Sequence, residues 1–242
     1  LPTTYLCGVN CPANPGAWKL HGVFHKKQRK QRKKWADGGV RQQQSRELAE
    51  EQARLAAQTG DTYTELVAEG LRYDSNRDWR RAARTYREAI ALRPDRPDAY
   101  FNLGAVLDDS GHNVEAVQRY LEAKERAPVG SEELWAGATA AAFDLLKMNE
   151  CDGVAKPEWW NDEGLKALSA RVVRAAPNGV EANFMRAAVL SGYGSWEAGP
   201  RSAAELKKAA AHFERAAALS DAPAVKAELV DLADGCRSQT ER

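Results

Sequence analysis

An all-α fold of stacked helix-turn-helix units is what this chain predicts, on three observations. The stretch from Tyr63 to Gly130 is one pattern written twice: Gly70 returns as Gly104, Ala82 as Ala116, Tyr86 as Tyr120, Ala89 as Ala123 and Pro94 as Pro128. Small, aromatic and proline residues at fixed places in a period of this length mark hairpins that bury their apolar faces against one another. The composition, 43% hydrophobic and 29% charged, is that of an ordinary soluble globular protein. No apolar run approaches the roughly 20 residues that cross a membrane.

The pattern resembles the tetratricopeptide repeat family. That resemblance implies a right-handed helical solenoid of about four repeats, near 63–96, 97–130, 131–179 and 180–223, closed by a capping helix over 222–235. Ahead of this domain (62–242) the sequence predicts a small zinc-finger-like segment with a basic arm (1–36) and a linker helix (37–61).

From the N-terminus, the first 25 residues place Cys7-x3-Cys11 nine residues before His21-x3-His25. Two thiolates and two imidazoles in close pairs suit one tetrahedral zinc ion. A segment so poor in aliphatic residues needs such a staple to fold. The spacing is shorter than that of the two-Cys, two-His finger that reads DNA. With Trp18-Lys19-Leu20-His21 it is similar to the second half of a MYND-type zinc finger, in which His25 stands where that family has cysteine. The family's upstream half has no counterpart in this chain, and its crossed arrangement would leave each site incomplete. One zinc held by Cys7, Cys11, His21 and His25, or an unmetallated arm, are the two readings. The chain begins at Leu1, without a charged start followed by an apolar run, so a fragment or a processed chain without a secretory signal is expected.

Lys26, Lys27, Arg29, Lys30, Arg32, Lys33 and Lys34 then follow, seven positive charges in nine residues. Such a run stays solvated and serves as an import address or a phosphate-binding arm. Residues 1–60 hold 11 Lys and Arg against 4 Asp and Glu, which leaves 24 against 30 for the remainder. A basic arm is thus joined to an acidic body, and the arm has the charge to fold back onto that body. Four cysteines, unevenly spaced, do not make a disulfide framework and point to a reducing, intracellular setting, cytoplasmic or nuclear.

Between 41 and 58 a polar helix with Leu48 and Leu55 seven apart is expected to rest lightly on the first repeat. Thr62-x-x-Glu65 and Ser202-x-x-Glu205 read as capping boxes, and Asp78 and Asn113 as N-caps. Pro94, Pro128 and Pro177 end second helices. The third and fourth units carry extra residues, Lys147–Asn161 with Cys151, Trp159 and Trp160, and Gly192–Arg201 with Tyr193 and Trp196. These tryptophans are expected to be exposed.

Gly70, Gly104, Ala82, Ala116 and Ala209 read as close helix crossings, and Tyr73, Tyr86, Leu107, Tyr120 and Phe213 as filling between units. The resemblance assigns ligand binding to the concave face, which the first helix of each unit forms. Its places give Thr64, Val67, Leu71, Asp74 and Ser75 in the first unit, and in the later ones Asp98, Phe101, Asp108, Asp109, Glu132, Trp135, Glu181 and Phe184, with Asn102 beside them, an aromatic floor with an acidic rim. The partner that suits it is a peptide with basic and apolar residues, since opposite charge steers encounter and buried aromatics hold. Family members that grip acidic chaperone tails use lysine and arginine where this chain has Val67, Glu132 and Ala136. Four scattered histidines and the lack of a glycine-rich phosphate loop favour a non-catalytic scaffold. The alternative is a nucleic-acid-associated adaptor working through Lys26–Lys34.

Overall fold

The computed structural model of the chain describes residues 39–148, 151–193 and 199–240, and these contain ten α-helices and no strand. The helices are α1 (Gly39–Thr59), α2 (Thr62–Ser75), α3 (Trp79–Leu92), α4 (Pro97–Ser110), α5 (Asn113–Arg126), α6 (Glu132–Leu146), α7 (Asp162–Ala175), α8 (Val180–Ser191), α9 (Ala203–Leu219) and α10 (Pro223–Thr240). Each packs on the next in sequence, and α2 also meets α4, as α6 meets α8. The proposed zinc ligands Cys7, Cys11, His21 and His25, the basic arm and Trp196 lie outside the described residues.

The repeated small residues set how closely these helices approach. A Cβ placed on Gly70 would stand 2.4 Å from the Tyr86 ring, and one on Gly104 would stand 2.9 Å from the Tyr120 ring. Each tyrosine therefore lies against bare backbone of the preceding helix. Ala82, Ala116 and Ala209 are fully buried, as are Tyr86 and Phe213. Trp79 is half-buried and packs against the same core.

Local signals at the helix ends fall close to expectation, with informative exceptions. Asp78 accepts from the Arg81 amide, and Ser202 and Glu205 complete a reciprocal capping box. At α2 the cap is Asp61, one residue before Thr62, because its carboxylate reaches the Thr64 amide. Asn113 does not cap α5. It is the first helical residue and is buried, while His112 precedes it without a side-chain cap. In α1 the leucines are not the packing face. Leu48 and Leu55 stay exposed, and Ala49 and Ala56, one residue on from each, are buried. Alanine lets the two backbones approach, which a leucine seam does not.

The two extra segments differ from the expectation of exposed tryptophans. Trp160 and Cys151 are buried in the main core, with Trp160 5.6 Å from Phe143 between ring centres, and Trp159 is half-buried beside it. Lys156 fastens this segment, donating to the Leu146 carbonyl at 2.6 Å at the C-terminal end of α6, where a cation meets the negative pole of the helix. The second segment ends in a clasp between α7 and α9. Arg201 pairs with Asp162 at 2.6 Å, and Lys166 bridges Asp162 at 3.0 Å and Glu205 at 2.6 Å. Lys166 and the Ser202 cap together hold the Glu205 carboxyl down to about 2. The clasp therefore keeps its charges through the whole mildly acidic range.

Gly70→Ala is expected to destabilise the chain by about 1–3 kcal/mol, since the tyrosine ring must move off its seat. Gly104→Ala, with the looser contact, is expected to cost less, and thermal unfolding of the two variants measures the order. Ser202→Ala removes the cap of α9 and is expected to cost about 1 kcal/mol in the same assay.

Candidate functional site

The first helices α2, α4, α6 and α8 line one side of the array, and a cavity of about 690 Å³ opens among α4, α6, α8 and α10. Its volume comes from what α6 lacks. Gly137, Ala140 and Ala141 face it from α6, where α4 presents Phe101 and α8 presents Phe184. Phe101 leans on this bare stretch of α6, 3.6 Å from where a Gly137 Cβ would stand, and meets Tyr120 edge-on at 5.5 Å. Phe184 is held edge-on by Phe213 at 6.0 Å and by Tyr193 at 6.4 Å.

The wall opposite comes from α10, whose Val225, Glu228, Leu229 and Leu232 face the cavity. Their spacing of three and four is one stripe of a helix. Leu229, Ala233 and Cys236 also pack into the core shared with α9, so one helix both joins that core and walls the cavity.

Around the apolar floor stand the carboxylates of Asp108, Asp109, Asp144, Glu181, Asp221 and Glu228. No lysine, arginine or histidine is among the described residues that line the cavity. The nearby cation, Lys147, is withdrawn from solvent. It is 1% exposed, pairs with Asp144 at 2.8 Å, and its ammonium lies 4.6 Å from the Phe184 ring centre and 5.0 Å from that of Phe143. A buried ammonium needs such compensation, here one carboxylate and the negative faces of aromatic rings. Tyr193 closes the cage at 5.7 Å, and burial, with the charges of Glu228 and Asp144, pushes its phenol upward.

Of the residues the sequence placed in a groove, Phe101, Asp108, Asp109, Glu181 and Phe184 line the cavity. Trp135 does not. Its ring carries the Arg171 guanidinium at 4.1 Å. Asp98 is engaged by Arg96 at the start of α4, Glu132 is exposed in the first turn of α6, and Asn102 is half-buried outside the cavity. The cause is a slip of register. Phe101 and Asp108 face the cavity from α4, while Gly137 and Asp144 do so from α6, two residues beyond the places a strict period would assign. Asp144, Lys147 and Glu228 were therefore missed. The signal for the first two was the length of α6, 15 residues against 14 in α4.

One carboxylate outside the cavity is also unusual. Asp74, in the last turn of α2, is half-buried, and burial followed by the neighbouring Asp109 charge raises its carboxyl to about 6. Among the described residues, no group of three His, Cys, Asp or Glu is arranged to hold a metal ion. No helix among them is long and apolar enough to cross a membrane.

Helical hairpins stacked side by side define the class of helical-repeat proteins. Within that class, residues 67–131 match the tetratricopeptide repeat family model. A stretch of 97 residues is 31% identical to cellulose synthase operon protein C of Pseudomonas fluorescens (strain SBW25). The match covers 39% of this chain and 8% of that protein's length.

Two outcomes are expected from these contacts. Asp74→Asn stabilises the free protein, because the folded state favours the neutral carboxyl while the unfolded chain ionises near 4. The gain is absent below about pH 4, grows through pH 6 and reaches about 1–2 kcal/mol above pH 7 in unfolding titrations. Lys147→Ala leaves Asp144 without its buried cation and empties the ring cage, costing about 3–5 kcal/mol in the same titrations.

Proposed function

We propose that the chain is a non-catalytic interaction scaffold whose cavity takes a basic and bulky apolar pair of side chains from a partner peptide. In this reading four repeat units, near 63–96, 97–130, 131–179 and 180–223, present the concave face. The observation that carries it is the division of the cavity. Apolar side chains of α4, α8 and α10 form its floor and far wall, carboxylates form its rim, and the one nearby ammonium is sequestered by Asp144 and three rings. An apolar side chain gains from the floor about 25 cal/mol per Å² buried, and a guanidinium or ammonium from the rim. Glu181 and Asp109, both exposed, steer the approach.

Selection of displayed twelve-residue peptides on the full chain is expected to enrich a basic residue beside Phe, Leu or Trp. Ala141→Phe fills the cavity from α6 and is expected to weaken the enriched peptides at least tenfold with the helical circular dichroism unchanged. Enrichment of acidic peptides, or affinity indifferent to Ala141→Phe, overturns the reading.

The alternative, an adaptor that holds nucleic acid through Lys26–Lys34, rests on the charge of that run. Binding to RNA or DNA that falls steeply with salt and is lost on replacing those lysines and arginines would favour it.

A further inference from the structure

We infer that α5 and α7 together carry an anion-docking surface outside the cavity, in which Lys124 and Arg171, seated on the rings of Trp159 and Trp135, receive the carboxylates of an acidic segment of a partner protein. This surface does not rest on the reading of the cavity.

The sequence prepares both cations in the same way. Leu121-x-x-Lys124 on α5 and Leu168-x-x-Arg171 on α7 each set a cation one turn beyond a leucine that packs against the main core. Residues three apart share one face of a helix, so each leucine holds that face down and leaves the cation at its margin. Lys124 is half-buried and Arg171 is exposed.

Two indole rings complete the surface. The Arg171 guanidinium lies 4.1 Å from the centre of the Trp135 ring, and the Lys124 ammonium 5.9 Å from that of Trp159. The two pairs are joined by α7. A Cβ on Gly164 would stand 2.6 Å from the Trp159 carbonyl oxygen, so the inserted segment rests there on bare backbone. Gly164, Leu168 and Arg171 follow one another by four and three, which is one stripe of α7. Trp159, with Lys124 over it, therefore lies at one end of a stripe that Arg171 closes at the other. At 1.5 Å per residue the two ends are on the order of 10 Å apart. Neither cation and neither of these rings lines the cavity.

Both cations lack a partner of opposite charge. No ion pair or hydrogen bond joins Lys124 or Arg171 to another described residue, whereas Arg81, Arg84, Arg87 and Arg93 each hold a carboxylate. Burial lowers the Lys124 ammonium from the usual lysine range; Glu125 beside it acts the other way, and the Arg171 charge adds to the lowering. An arriving anion relieves both costs. A guanidinium laid flat on an indole keeps its edge free, and that edge is a fork that matches the two oxygens of a carboxylate. The rings meanwhile hold both cations in place. Glu125, Glu158 and Glu163 are exposed next to Lys124, Trp159 and Gly164 in the chain. They would repel a continuous phosphate backbone, while acidic side chains spaced along a peptide can settle between them.

The test uses the full chain and dye-labelled peptides with the core Glu-Leu-Glu-Leu-Glu or Gln-Leu-Gln-Leu-Gln, read by fluorescence anisotropy at pH 7.5 and low salt. The extended core spaces its acids by about 7 and 13 Å, on either side of the separation of the cations. The glutamate peptide is expected to bind at least tenfold more tightly than the glutamine one. Lys124→Gln and Arg171→Gln are each expected to reduce that advantage about fivefold, and the double variant to abolish it. Arg171→Lys keeps the charge without the fork and is expected to bind the glutamate peptide severalfold more weakly than the parent chain. Should Arg171→Gln loosen α7 in circular dichroism, the lysine variant carries the comparison. Arg80→Gln, which removes an exposed cation of α3, and Ala141→Phe, which fills the cavity, are expected to change the binding by less than twofold. The surface is overturned by a glutamate peptide that binds no better than the glutamine one, or by Arg80→Gln weakening it as much as Arg171→Gln. Loss of binding with Ala141→Phe, or tighter binding of a twelve-nucleotide oligothymidylate through Lys124 and Arg171, overturns it as well.

Discussion

The contact on which the array depends is an aromatic ring laid on bare backbone. Tyr86 over Gly70 and Tyr120 over Gly104 bring the two helices of each hairpin together without a side chain between them. A helix interior loses stability by holding glycine, about 1 kcal/mol against alanine, and the close packing of the ring offsets that loss. Because each ring is clamped at one end, the position of its hydroxyl is fixed too. In the second of these units the clamped ring also lines the cavity, through Tyr120.

The third unit shows how a cavity is placed on this frame by subtraction. Where α4 and α8 present phenylalanines, α6 presents Gly137, Ala140 and Ala141, so close-packed neighbours leave a hollow. The extra segment after α6 then supports the hollow from behind. Trp160 and Cys151 fill the core, Lys156 ties off the end of α6, and Lys147 is drawn among Phe143, Phe184 and Tyr193. An ammonium in that place stiffens the aromatic floor and partly neutralises Asp144, leaving the rim as the negative part of the site.

Much of the architecture was legible because the repeat writes its packing into small residues, and Gly70, Ala82, Tyr86 and their counterparts 34 residues on carry one physical message each. The cavity was legible only where the period is kept, as at Phe101, Asp108 and Asp109. Trp135 was misplaced because α6 is longer by a residue and its lining face slips by two, which a period of fixed length cannot reveal. Leu48 and Leu55 misled for a related reason, since size alone does not say which face two helices share when alanines beside them permit closer approach. Trp160 could not be assigned from sequence because the course of an inserted segment is set by what it packs on, here Phe143 of α6 and the Lys156 that ties the segment to the end of that helix.

The double service of α10 joins two properties that are usually separable. In a stacked array each unit leans on its neighbours. Here the helix that packs on α9 through Leu229, Ala233 and Cys236 is also a wall of the cavity, through Val225, Glu228, Leu229 and Leu232. The seating of α10 on α9 and the shape of the cavity are therefore set together, so that loosening the one redraws the other.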